Sequence, residues 1–272
     1  MSAFPLTLAL FLFGMALLGA LAVLPYAFSL SKDALSKAKL PKPVLAIISF
    51  VQTAVLMAIA VGVGLLAARP VGLGAPYIQA FLSGTPVSPR FLDLLPVAIG
   101  LGVLSFVILA LFERFVFAPH VPPSLRNSDT NAKPWMRFLA TFYGGIDEEI
   151  LTRLFLVSGL VWILGRFWQN PSGLPADGAF WLAIVLSAVL FGLGHLPATQ
   201  ALTPLTSMLI FRAVVLNGVA GIAFGWLFWR YGLEIAMVAH FSADILLHVL
   251  APVYNRWVYP DSSMVNSLSK AE

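Results

Sequence analysis

The chain has no cysteine. This excludes disulfides, thiol nucleophiles and cysteine-ligated metal. Charge is almost as scarce. Only 10% of the 272 residues are Asp, Glu, Lys or Arg, whereas 60% are hydrophobic, and mean hydropathy is +0.92. Soluble domains carry about 25% charged residues, so this composition suits a chain whose solvent is mostly lipid. The +4 formal charge forms no basic patch, so nucleic acid is not an expected partner.

Long apolar runs are plentiful. A spanning helix needs about 20 predominantly apolar residues. Runs at 4–30, 43–68, 94–112, 138–164, 179–196, 205–229 and 233–250 meet that need. The expected fold is therefore all-α, a polytopic bundle of about seven spans, within a range of six to eight. The first run is read as a retained helix. It lacks a basic leader, exceeds the usual signal-peptide core and shows no clear cleavage site.

Basic residues set the expected orientation. Lys32, Lys37, Lys39, Lys42, Arg114, Arg126, Lys133, Arg137, Arg256 and Lys270 fall on one side. Only Arg69, Arg90, Arg166 and Arg230 fall on the other. The N-terminus is expected outside and the C-terminus in the cytoplasm of a cell-membrane protein.

No internal repeat is visible. Residues 71–92 are rich in Gly, Pro and Ser and read as an external loop with an interfacial turn near 77–82. The proline-rich stretch 118–137 reads as a cytoplasmic linker. It divides three plain spans (1–117) from a chemistry-bearing part of four spans (138–252), followed by a frayed tail (253–272). Trp257 and Tyr259 are expected at the headgroup level.

The chemistry lies in three spans. A charge near the bilayer centre costs about 2.5–3.5 kcal/mol, so the run Asp147-Glu148-Glu149 with Arg153 needs a reason. Glu149 and Arg153 stand four apart in the favourable acid-first order and can neutralise one another. Glu148 is turned about 100° away and faces another neighbour. A helix-locking ion pair explains one acid, not two adjacent ones. The fifth span ends Phe191-Gly192-Leu193-Gly194-His195, and its glycines allow close helix approach. Taken alone, His195 reads as an interfacial histidine. In the seventh span, His240, Asp244 and His248 recur every four residues. Such a row is a functional-site candidate, with a polar helix clamp as the plainer reading. Glu234 reads as a solvated terminus residue, Arg212 as a snorkelling cation and Asn217 as a brace for a site residue or a link between two helices.

Glu-Glu-x-x-x-Arg (Glu148, Glu149, Arg153), Phe-x-x-x-His (Phe191, His195) and His-x-x-x-Asp (His240, Asp244) occur in that order on separate spans. This resembles the CAAX prenyl endopeptidase and bacteriocin-processing family of intramembrane proteases, over roughly residues 140–250. The resemblance implies endopeptidase cleavage of a membrane-associated polypeptide, with a CAAX-like, lipidated C-terminus as one substrate type. It implies Glu148 as general base working with His195, and His240 with Asp244 at the scissile carbonyl. Glu149 and Arg153 would be supporting residues. Asp244 stands where an asparagine also occurs in the family. An ionised aspartate cannot donate a hydrogen bond, so Asp244 serves an oxyanion only when protonated, or else orients His240. The preferred reading requires no cofactor. The alternative is a zinc ion held by Glu148, His195 and His240, ligand types that suit zinc. Competing functions are a proton- or ion-coupled transporter, and a non-catalytic scaffold or immunity protein of the same family.

Overall fold

A computed structural model describes residues 4–30, 40–126 and 132–260. Among these residues the secondary structure is helical, with no strand. Helix α1 spans Leu6–Leu30 and α2 spans Lys42–Ala68. The short α3, Pro76–Leu82, forms at the expected interfacial turn. Helix α4, Arg90–Phe112, continues through a π turn and a 3-10 turn to His120. The fourth long helix joins α5 (Pro134–Phe142), π-helical segments at Tyr143–Glu148 and Ile150–Val157, and α6 (Ser158–Leu164). Then come α7 (Asp177–Gly194), the short α8 (Leu196–Gln200) and α9 (Ser207–Tyr231). Helix α10 (Leu233–Asp244) is followed by a π segment, Ile245–Val249, and by α11 (Ala251–Val258).

Local sequence sets the breaks. Proline opens α2, α3, α5, α8 and α11 within the first two positions, where its missing N–H removes no helical bond. Thr206 caps α9 by accepting from the Leu209 N–H at 3.3 Å. Gly232, at φ 102°, makes the tight link from α9 to α10, a conformation that favours glycine.

Among the described residues five helices are long and apolar enough to cross a membrane, and six if the bent pair of α10 and α11 counts as one. The protein is a multi-pass membrane bundle of about six spans, at the low end of the expected range. The stretch 134–164 is helical throughout, but it concentrates Arg137, Asp147, Glu148, Glu149 and Arg153. It therefore stands apart from the apolar set.

Helices from before and after 118–137 interleave. Helix α9 packs along α7, α10 along α4, and α2 along the second π segment. Helix α1 packs on α2 and α5. One cluster of buried apolar side chains runs through all of these except α5, from Leu12 and Met57 to Leu154, Ile184, Phe224 and Ile235. The bundle has two ends. At one end α1, α4, α7 and α10 finish, and α5 and α9 begin. At the other lie the turns around 69–90, 165–177 and 232.

Four readings change. Glu234 is buried, not solvated, and its Oε1 accepts from the Ile78 N–H at 2.7 Å, capping α3 from another helix. Glu113 lies in the π turn that continues α4 and is fully buried. Arg212 does not snorkel freely, because its Nε donates to Glu113 at 2.7 Å. The chain is helical to Val258 rather than frayed, and Tyr259 is buried with its hydroxyl donating to Glu113. Of the basic residues that set the orientation, Lys32, Lys37, Lys39 and Lys270 lie outside the described residues, as does the tail from 261.

Candidate active site

Three consecutive acids point three ways. The π turns around them carry bonds from i to i+5 rather than i+4, a departure that recurs at functional sites. Asp147 turns toward α1 and is fully buried. A Cβ added at Gly19 would meet its Oδ2. Glu148 faces a cavity, with 21% of its side chain exposed. Glu149 turns inward and is fully buried.

Glu149 bridges Arg153 and His240. Its Oε2 lies 3.2 Å from Arg153 Nε, and its Oε1 lies 2.7 Å from His240 Nδ1. Arg153 also donates to Thr152 Oγ1 and, at 3.3 Å, to the Gly221 carbonyl. The rings of Phe191 and Phe224 lie 5.8 and 5.7 Å from its guanidinium. The expected pair is thus present, and it also holds the histidine ring.

His240 presents its other nitrogen to the cavity. Nε2 lies 3.7 Å from Glu148 Oε2 and 3.6 Å from Asp244 Oδ1. Asp244 therefore does not orient His240 through Nδ1, since Glu149 has that place. His195 closes the set from the end of α7. Its Nδ1 is 2.9 Å from the Phe191 carbonyl, and its Nε2 is 4.0 Å from Glu148 Oε1. Phe191 packs edge-on against His195 with centroids 4.7 Å apart, and the Phe224 ring lies 5.0 Å from His240.

Glycine makes this crowding feasible. A Cβ at Gly144 would collide with Asp244 Oδ2 and approach His240 Nε2 to 3.2 Å. Gly192 fits the same pattern, since a Cβ there would come within 2.7 Å of Val214 Cα. Gly194 faces open space and carries no such demand.

Glu148, His195, His240 and Asp244 all line one cavity of about 420 Å³. Its remaining wall is mainly apolar, with Val23 and Leu30 from α1 and Phe106 from α4. Asn217 lines it too, but its amide donates to the Ala213 carbonyl on its own helix rather than bracing another. His248 shares the wall and meets Tyr26 edge-on at 5.5 Å.

Among the described residues no three His, Asp or Glu side chains are placed to hold a metal ion. Glu148 stands 4.0 Å from His195 and 3.7 Å from His240. Ligand atoms around tetrahedral zinc, at bonds of about 2 Å, stand roughly 3.3 Å apart. Both separations are wider than that spacing.

Fold and site together define a class: a helical membrane protein with an acid and histidine cluster beside a cavity within its bundle. Residues 130–246 match the family model described as Rce1-like, type II CAAX prenyl endopeptidase Rce1-like. The match supports placing the chain in the CAAX prenyl endopeptidase and bacteriocin-processing family, and at family level supports a peptide-bond hydrolase working in a lipid environment. No curated protein and no solved structure gives a significant match.

Sequence reasoning missed two things. One is that Glu149 serves His240, a partner 91 positions away. The other is the buried Glu113–Arg212 pair, 99 positions apart. Both residues of that pair were visible as charges flanked by apolar sequence, but nothing local joined them.

Proposed function

We propose that the protein is an intramembrane endopeptidase that hydrolyses a peptide bond in a membrane-associated polypeptide through a water activated by Glu148 and His195. The carrying observation is the 4.0 Å separation of Glu148 Oε1 from His195 Nε2. That gap is too long for a direct hydrogen bond, and it suits one bridging water at about 2.8 Å from each.

In this reading the water oxygen attacks the scissile carbonyl carbon while Glu148 takes its proton. The carbonyl oxygen becomes an oxyanion in the tetrahedral intermediate. His240 donates Nδ1–H to Glu149, which fixes the ring and aims Nε2 at the cavity. With a proton on Nε2 it donates to the oxyanion, and Asp244 in its acid form donates from the adjacent position. As the intermediate collapses the C–N bond breaks, and Glu148 returns the proton to the leaving amine. Arg153 neutralises Glu149, so the support beneath His240 carries no uncompensated charge.

The apolar wall from α1 and α4 supports an amphiphilic substrate, such as a lipidated polypeptide cut near its C-terminus. The test uses purified protein in liposomes with a membrane-tethered reporter peptide. Cleavage is expected from the parent protein and is lost in Glu148→Ala and in His195→Ala, with both variants folded and inserted. Parent-like cleavage by either variant overturns the assignment.

A further inference from the structure

At the turns that follow α2 and join α9 to α10 lies a cavity of about 310 Å³. Its wall is more polar than apolar, the reverse of the main cavity. Arg90, Arg230 and Gln79 line it, and no acid does. Arg90 opens α4, and Arg230 stands in the last turn of α9. Both helices are long and apolar enough to span a membrane. The two arginines therefore sit where a span ends and the headgroups begin.

These cations are positioned but unpaired. The Arg90 guanidinium lies 5.5 Å from the centre of the Tyr231 ring, and that of Arg230 lies 5.4 Å from the Trp229 ring. Such stacking occupies the face of a guanidinium and leaves its N–H edge free. Among the described residues neither makes a hydrogen bond or an ion pair, and nor does the Gln79 side chain. The wall that carries them is stitched together. The Leu233 N–H donates to the Gly74 carbonyl at 3.0 Å, and the Ile78 N–H to Glu234 Oε1 at 2.7 Å. Glu234 is buried behind Gly232 and orders the wall without lining the cavity.

A donor-rich, acid-free cavity with two guanidinium forks suits phosphate oxygens. Its place at the ends of two spans favours a lipid over a free ion as their source. We infer that this cavity binds the phosphate of an anionic phospholipid through Arg90, Arg230 and the Gln79 amide. The site does not depend on the peptidase reading. It lies at the end of the bundle where α7 begins, whereas His195 stands where α7 ends.

The test uses the full-length protein in phosphatidylcholine vesicles, with fluorescent phosphatidylglycerol as the probe. Association is read by energy transfer from the protein's tryptophans. The parent is expected to favour this lipid about tenfold over phosphatidylcholine carrying the same fluorophore, the scale of charge-assisted hydrogen bonds. The preference falls toward unity when Arg90→Gln and Arg230→Gln are combined. Arg90→Lys keeps the charge, loses the fork and narrows the preference in part, so it serves even where the double variant fails to fold. Arg256→Gln removes a cation from the other end of the bundle and leaves the preference within twofold. Equal affinity of the parent for the two lipids overturns the site, as does a preference that the arginine variants retain. An equal loss in Arg256→Gln shows diffuse attraction and also overturns it. Inorganic phosphate that abolishes the preference at constant ionic strength assigns the cavity to free phosphate and overturns the lipid.

Discussion

Glu148 and Glu149 are adjacent carboxylates with opposite surroundings. One is partly exposed to a cavity, and the other is fully buried between Arg153 and His240. Their variants should fail differently. Glu148→Gln is expected to keep the parent's thermal stability and lose at least about a hundredfold in cleavage rate, as removal of a general base does. Glu149→Ala leaves Arg153 buried without its carboxylate, at a cost of about 3–5 kcal/mol, so the melting temperature falls along with activity. Thermal melts in detergent, run beside the cleavage assay, distinguish the two. A stable, inactive Glu149→Ala would make Glu149 a reacting group. For metal, the metal-free route expects activity to survive chelation and the purified protein to hold less than stoichiometric zinc. One zinc per chain, with activity lost on its removal, would overturn that route.

At the level of the helix, the pair of glycines ahead of the acids sets how near α10 can come. Gly144→Ala is expected to push Asp244 and His240 away, lowering cleavage at least about tenfold through misplacement. Gly194→Ala, which meets open space, should leave the rate within twofold. Equal rates for both variants would show that the crowding has no part in activity. The same scale explains what could be read beforehand. Apolar runs announce helices because hydrocarbon demands internally bonded backbone, so most of the long helices were legible. The grouping of Glu148, His195 and His240 was implied by the family resemblance, since His195 taken alone reads as an interfacial histidine. The π turns were not legible. They shift by a fraction of a turn which acid faces what, so Asp147 against Gly19 and Glu149 against His240 emerged only from the packing. Glu234 was misread because its partner, the Ile78 N–H, belongs to a turn 156 positions away.

For the whole molecule, orientation is the property most open to measurement. The absence of native cysteine makes single introduced thiols clean reporters. With the C-terminus cytoplasmic, Ser172→Cys should react in intact cells with a membrane-impermeant maleimide, and Ser124→Cys only after permeabilisation. The reverse pattern inverts the topology and places the cavity end of the bundle outside. The link of Glu149 to Arg153 and His240 also bears on biosynthesis. Arg153 lies four positions from Glu149, so the two can enter the bilayer already neutralising one another on a single helix. His240 is synthesised 91 positions later, and only its arrival on α10 turns a compensated charge pair into the support for a reactive ring. Throughout translation the half-built chain holds Glu149 compensated by Arg153, and the candidate site is completed only when α10 is in place.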